Sequence, residues 1–455
     1  MRLPDARIFD PAVECLDAPA RRDGQTRVLR AALAHVVEGS AFYRQKLAAC
    51  RGLDGLGPDD LAGLPFTTRA ELAADQAASP PFGMACAVPV DRAVVAGRSG
   101  VGFSVTGRRL NLFATAGDVR REAVFVARAL WEAGVRPGDR VYVADDPRYN
   151  LVAIAVLRAV CALGAIDVYV AAERSARTAR YVVPVLPPAH VFLSPTYAGY
   201  LPAVLAGPSG ARWPIRSISG WGEPGYSVGD TRSRLRALWD AASLCPPVAI
   251  VDVYALSETG IVAFGCREGR GLHVLEDAVV VEIVEAEGDR VLPPGGRGEV
   301  VVTLLGADAL PLVRYRTGDG AVLDDTPCAC GRTGRRLVGI ERLAERVRVR
   351  GRSVSALDVE RALAALGARP GNFVLLRASS DDDVLRVRLS AGDAPRDPAA
   401  LDAALARALG VAVSVDLVPP ERLPPFIHKT LRVVDAGREP FLAEELAFQQ
   451  ELERV

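Results

Sequence analysis

Between Asp118 and Val253 the sequence alternates between two hydrophobic periods, and that alternation restricts the fold more than any other property of the chain. Val119, Ala123, Val126 and Leu130 recur on one helical face. The turn Gly134-Val135-Arg136-Pro137-Gly138-Asp139 stops that helix and feeds a short apolar strand over 141–144. A second helix over 151–163 stops at Gly164, ahead of a strand over 166–170. Further strands are expected at 190–193, 217–219 and 248–253, with helices between them. Strand, helix, strand in this order requires right-handed crossovers and a parallel sheet, so the middle third is an α/β layer.

The last of these strands runs into VYALSETGIVAFGC, residues 253–266. Tyr254, Ser257, Glu258 and Thr259 are too polar for a buried strand interior, whereas Ile250, Val251 and Val253 before them, and Ile261, Val262 and Phe264 after them, suit burial. The polar residues read as a loop over a sheet edge, where the Glu258 carboxylate can meet a ligand or a metal.

On either side of this layer the texture differs. The first ninety or so residues carry helix-like segments, with Val28, Leu29, Leu33 and Val36 on one face, and end in Leu64-Pro65-Phe66-Thr67-Thr68. Residues 94–109, VVAGRSGVGFSVTGRR, are rich in glycine and hydroxyls and close on two arginines, a composition that presents backbone N–H groups and cations to phosphate. After Cys266 strands are expected at 279–284 and 298–305 around the turn Pro293-Pro294-Gly295-Gly296. The basic run RLAERVRVRG, 342–351, marks a junction. Beyond it, helices at 356–366 and 398–409 and strands at 373–378, 385–389 and 411–418 form a small two-layer α+β unit. The expected division is 1–341 and 342–455, and no internal repeat is evident.

Bulk properties exclude some classes. A chain of 455 residues exceeds one compact core. Lys plus Arg equals Asp plus Glu at 55 each, so no net field draws the chain to nucleic acid or to an anionic membrane. The N-terminus lacks a signal-peptide core, and Arg158, Gly164 and Asp167 interrupt the longest apolar run, so a cytoplasmic protein with no membrane partner is expected. Most of the eight cysteines are isolated in apolar surroundings, which suits reduced thiols. Cys266, Cys328 and Cys330 group with His273. Three thiols and an imidazole make a full tetrahedral zinc set, and the absence of a carboxylate points to a closed structural site; the alternative is a chance grouping of reduced thiols with a strand histidine.

Several motifs together resemble the phenylacetate-coenzyme A ligase family, a branch of the adenylate-forming superfamily of acyl-CoA synthetases and adenylation domains. They are LPFTTRAEL (64–72), PFGMACAVP (81–89), GVRPGDRV (134–141), GWGEP (220–224), YALSETG (254–260), GLHVLED (271–277), LPLVRYRTGD (310–319), CACGRT (328–333) and KTLRVVD (429–435). The resemblance implies an α/β fold: a large N-terminal adenylation domain with mixed sheets and a β-rich subdomain, then a small mobile α+β lid. It also implies activation of an aromatic or similar small carboxylic acid by ATP, with release of pyrophosphate, followed by displacement of AMP by a thiol, coenzyme A first among acceptors. By the same resemblance Glu258 serves the magnesium-ATP site, with Ser257 and Thr259 beside it. Asp319 takes the ribose hydroxyls, and Tyr254 with Gly222, Glu223 and Pro224 surrounds adenine. Arg342 lies near ribose or phosphate, Lys429 is the cation of the adenylation step, and some relatives hold zinc at the cysteine cluster. Such chemistry is mainly positioning plus charge neutralisation, which a carboxylate on magnesium, a lysine and a diol-binding aspartate supply.

Taken singly, the same residue types also fit a solvated loop (Glu258), a tight turn (Asp319) or solvated faces (Arg342, Lys429). The phosphate loop departs from the family pattern: Ser99, Gly100, Thr106 and Gly107 keep its character, and Arg108 stands where a lysine is usual. Ala344 replaces the hinge aspartate, and His428 replaces the glycine before Lys429. These departures keep other readings open: transfer to an amine, a carrier-protein thiol or a nitrite-type acceptor, or a catalytically weak nucleotide-binding homologue. Trp221 and Tyr149 are candidate acid-pocket residues, and a homodimer is admissible.

Overall fold

A computed structural model of the chain describes residues 7–98, 110–144, 151–169, 179, 182–207, 209–368, 373–393, 400–419, 423 and 432–435. The chain forms two compact units, with the change at Ile340/Glu341.

In the first unit the α/β alternation emerges as expected. Strands β1 (Ala93–Arg98) and β2 (Asn111–Thr115) pair antiparallel as a separate ribbon. Strands β3 (Arg140–Val143), β4 (Ile166–Tyr169), β5 (His190–Phe192), β6 (Ser217–Gly220) and β7 (Ala249–Leu256) then pair side by side, every neighbour parallel. The helix Ala116–Glu132 opens on a capping box, in which Thr115 Oγ1 accepts from the Asp118 N–H and the Asp118 carboxylate accepts from the Thr115 N–H. Its apolar side joins the helix Leu151–Ala162 on one face of the sheet, while Tyr197, Leu201, Leu235 and Trp239 from the helices Pro195–Ala206 and Gly229–Ala242 fill the other.

The sheet does not end at β7, and here the structure corrects the expected loop over a sheet edge. Strand β8 (Gly260–Gly265) returns antiparallel to β7, so the polar residues form the turn of a hairpin deep inside an eleven-stranded sheet. Tyr254 lies within β7, where a register shift after it lets the polar end of the strand leave the regular ladder. Strands β9 (Leu272–Val274), β10 (Val279–Val284), β11 (Arg297–Leu304), β12 (Tyr315–Asp324) and β13 (Arg336–Arg342) complete the order β10-β11-β12-β13-β9-β8-β7-β6-β5-β3-β4. Asp319 therefore sits on a strand rather than in a turn.

In the second unit, strands β14 (Arg346–Val349) and β15 (Arg352–Ser355) turn the basic run into a hairpin, more than the expected junction. Val347, Val349 and Val354 point into a core shared with the helices Ala356–Ala365 and Leu401–Leu409. Beneath them lies a four-stranded sheet of β16 (Phe373–Arg377), β17 (Leu385–Ser390), β18 (Val413–Val418) and β19 (Val433–Asp435), in the order β18-β17-β16-β19. Among the described residues no helix is long and apolar enough to cross a membrane.

Candidate functional site

The carboxyl ends of the parallel strands meet the hairpin turn, which is where an α/β sheet collects ligand-binding groups. Ser257, Glu258 and Thr259 form that turn. The Glu258 side chain is 5% exposed and accepts a hydrogen bond on Oε1 from Arg69 Nη1 at 2.6 Å. The hydroxyl of Tyr315, the first residue of β12, donates to the same oxygen. Burial lowers the pKa of Arg69, but Glu258 and Tyr315 outweigh it, so the guanidinium is held charged above its ordinary value. Burial and the neighbouring carboxylate push the Tyr315 phenol well up, and it stays a donor.

Arg69 is placed by its own segment. Thr67 runs alongside β12 as an added bridge: its N–H donates to Arg314 O, and Arg316 N–H donates to Thr67 O, both at 2.9 Å. The Thr67 hydroxyl donates to Val313 O at 2.8 Å. Thr68 then caps the helix Arg69–Ala78 in a capping box with Glu71. Arg314 anchors the same crossing, bound through Nε and Nη2 to Glu282 with both side chains buried.

Four residues beyond Tyr315, Asp319 accepts from the Tyr254 hydroxyl on Oδ2 at 2.8 Å. Glu258, Tyr315, Tyr254 and Asp319 thus form one continuous polar strip where the hairpin meets β12. Underneath, Glu122 accepts from the Ile261 N–H, and burial pushes its carboxyl up to about 7. A side chain at Gly260, whose φ is +72°, would sit 2.4 Å from that carboxylate, so the turn closes over Glu122 only with glycine.

Gly222, Glu223 and Pro224 follow β6, whose last residue Gly220 pairs with Asp252 of β7, two positions before Tyr254. Gly220 has no space for a side chain, because a Cβ would lie 1.8 Å from Leu193 O. The Glu223 carboxylate accepts from the Thr196 N–H at 2.7 Å and so satisfies the open N-terminus of the helix Pro195–Ala206. Trp221 is buried edge-on to Phe192, ring centroids 4.8 Å apart, and belongs to the core.

Of the other expected residues, Arg342 ends β13 and pairs with Glu345 at 2.8 Å within the second unit. Thr106, Arg108, Tyr149, His428 and Lys429 lie outside the described residues. Sequence reasoning missed Arg69, Tyr315 and Glu122; the first two sit inside the motifs LPFTTRAEL and LPLVRYRTGD, where position in the motif was the available signal.

The cysteine cluster is a separate site. The ligand atoms of Cys266, His273, Cys328 and Cys330 all lie within 4.8 Å of one another. Cys266 Sγ is 3.7 Å from Cys328 Sγ, and Cys330 Sγ is 3.3 Å from His273 Nε2. Thiolates about 2.3 Å from a tetrahedral zinc stand roughly 3.8 Å apart, so the donor set has the right spacing. The His273 Nδ1–H donates to Gly334 O at 3.3 Å, which turns the Nε2 lone pair into the cluster. The hydrogen bond between Cys266 and Cys330 pushes the first thiol up and the second down; burial adds to the rise, and His273 with the Arg332 amide adds to the fall. Arg332 is buried beside Cys330 and joins Glu14 at 2.6 Å and Glu132 at 2.9 Å.

No protein-family model matches the chain. Among curated proteins, the phenylacetate-coenzyme A ligase of Thermus thermophilus is 28% identical over 367 residues, 79% of this chain and 78% of the relative. That of Pseudomonas putida is 29% identical over 348 residues, 69% of each. Those of Aromatoleum evansii and Escherichia coli match at 28% and 27%. The chain is similar to the phenylacetate-coenzyme A ligases, as its motifs implied. For this ligase-like chain the expected fold is also borne out. A crystal structure of 2-hydroxyisobutyryl-CoA ligase in the postadenylation state superposes with a TM-score of 0.83 at 24% identity, over 98% of this chain and 97% of that one. The O-succinylbenzoate coenzyme A synthetase of Bacillus subtilis in complex with AMP gives 0.55 at 17%, over 76% and 69%.

Proposed function

We propose that the chain is an ATP-dependent, AMP-forming enzyme that activates an aromatic or similarly small carboxylic acid as its acyl-adenylate and passes the acyl group to coenzyme A. The observation that carries this reading is the polar strip of Glu258, Tyr315, Tyr254 and Asp319 on a fold shared with ligases solved with AMP or an acyl-adenylate. Tyr254 holds the Asp319 carboxylate in place through Oδ2, and that carboxylate suits the hydroxyls of a ribose diol. Arg69 and Tyr315 hold Glu258 by Oε1, and among the described residues no donor meets Oε2, so that oxygen fits a magnesium ion carried by the triphosphate. Magnesium, when bound there, neutralises charge on the phosphates.

In the adenylation step the acid's carboxylate oxygen attacks the α-phosphorus and pyrophosphate departs. The thiol sulfur then attacks the acyl carbon and AMP leaves. Residues 1–341 act as the adenylation domain and 342–455 as the lid. Thr106 and Arg108 contact the phosphates, Arg342 the ribose or phosphate, and Lys429 offsets charge developing during adenylation. Zinc on Cys266, His273, Cys328 and Cys330 pins the β-rich segment and takes no part in the reaction.

A pyrophosphate-release screen with ATP, magnesium and a panel of aryl and aliphatic acids tests the proposal. Release that depends on one acid class supports it. Absence of AMP with every acid, indistinguishable from Lys429→Ala, overturns it. Product mass spectrometry with coenzyme A, amines, nitrite and carrier protein as acceptors fixes the second half-reaction.

A further inference from the structure

The Arg69–Glu258 pair has a property that the proposed reaction does not by itself require. Glu258 is aimed by its surroundings before any metal arrives, and the group aiming it is a cation. Arg69 Nη1 and the Tyr315 hydroxyl converge on Oε1. Arg69 is held at the first position of its helix by the Thr67 bridge to β12 and the Thr68 cap, and its side chain is 19% exposed. It is built into the wall of the site.

The charge balance follows. A buried carboxylate paired with a guanidinium presents no net charge, so a bare divalent cation gains little by approaching Oε2 and meets the guanidinium only one carboxylate width away. A divalent cation already carried by a triphosphate is part of a net anion, which the same guanidinium attracts. We infer that Arg69 is a positioning residue that makes metal binding at Glu258 conditional on nucleotide: it aims the carboxylate and repels a cation that arrives alone. This rests on the reading of Glu258 as the metal-nucleotide ligand.

The test is equilibrium dialysis of Mn2+ against the protein, with and without a non-hydrolysable ATP analogue on both sides of the membrane, read as the excess of metal on the protein side. The unmodified protein is expected to bind Mn2+ only with the analogue present. Arg69→Gln keeps a donor for Oε1 and drops the charge. It should bind bare Mn2+ about tenfold more tightly and the metal-nucleotide complex about tenfold more weakly, an inverse split that loss of folding cannot produce. Arg69→Lys should restore the original order, and Tyr315→Phe, which leaves the charge in place, should not open bare-metal binding.

Equal Mn2+ binding by the unmodified protein and Arg69→Gln in both arms would falsify the inference while leaving the proposed reaction standing. Bare-metal binding opened by Tyr315→Phe would overturn it equally, because charge would not then be the basis. Should Arg69→Gln fail to fold, a Lys variant that does not keep nucleotide dependence counts against it. An unmodified protein that takes no metal even with the analogue sinks both the inference and the reading beneath it.

Discussion

A carboxyl held up to about 7 beneath a hairpin turn ties that turn to pH. In the unfolded chain Glu122 titrates near its ordinary 4.5; in the fold, burial raises it, and the Ile261 N–H and Arg121 only partly compensate. Below about pH 4.5 the group is neutral in both states and exacts no penalty. As pH climbs toward 7 the unfolded chain ionises first, and this contribution to stability is lost. Glu122→Gln keeps an acceptor for Ile261 without the charge. Its melting temperature should match the parent near pH 4.5 and exceed it increasingly up to pH 8, and parallel curves across that range would remove the argument. At the same scale, Tyr254→Phe deletes one hydrogen bond to Asp319. The KM for ATP is expected to rise roughly 5-fold, the worth of about 1 kcal/mol, with the KM for the acid unchanged.

Among the elements, the β7–β8 hairpin joins the polar strip to the cysteine cluster, since Cys266 directly follows β8 and β9 carries His273. Cys328→Ser should cut zinc from about one equivalent per chain, by elemental analysis of protein purified without added metal, and lower the melting temperature with it. Full stability in metal-free protein would end that reading. Arg332→Met strands the buried Glu14 and Glu132 carboxylates, and denaturant unfolding should report a loss of roughly 3–5 kcal/mol. The parallel strands were legible in the sequence because each is a short apolar run between turns. Strand β12 was not: Arg316, Thr317 and Asp319 spoil its pattern. They are tolerated because Glu299 and backbone acceptors on the neighbouring chain segments take the hydrogen bonds of Arg316 and Thr317, while Asp319 accepts from the Tyr254 hydroxyl. The hairpin's depth in the sheet was hidden as well, since only the pairing of β9 with distant β13 reveals it.

At the level of the whole molecule, the motifs that carried the resemblance converge only partly in what the structure describes. YALSETG, LPLVRYRTGD and LPFTTRAEL, separated by up to 250 positions, meet around Glu258. No local period could show that meeting; the motif set could. Lys429 is the cation proposed for the adenylation step, and Lys429→Ala tests the division of labour. Pyrophosphate release is expected to fall by about 10²–10³, whereas binding of the metal-nucleotide complex, to which Lys429 is not assigned, changes less than about threefold. Equal losses in both would contradict it.

The bond between Arg332 and Glu14 spans 318 positions of the chain. On the ribosome, the segment around Glu14 therefore emerges long before its partner exists, and the cysteine cluster, whose last ligand is Cys330, forms at nearly the same late moment. With zinc bound at the cluster as proposed, closing the N-terminal segment and capturing the metal become one event near the end of the first unit's synthesis. A zinc-starved cell should then accumulate chains whose first residues are open to proteolysis while the parallel sheet is already protected.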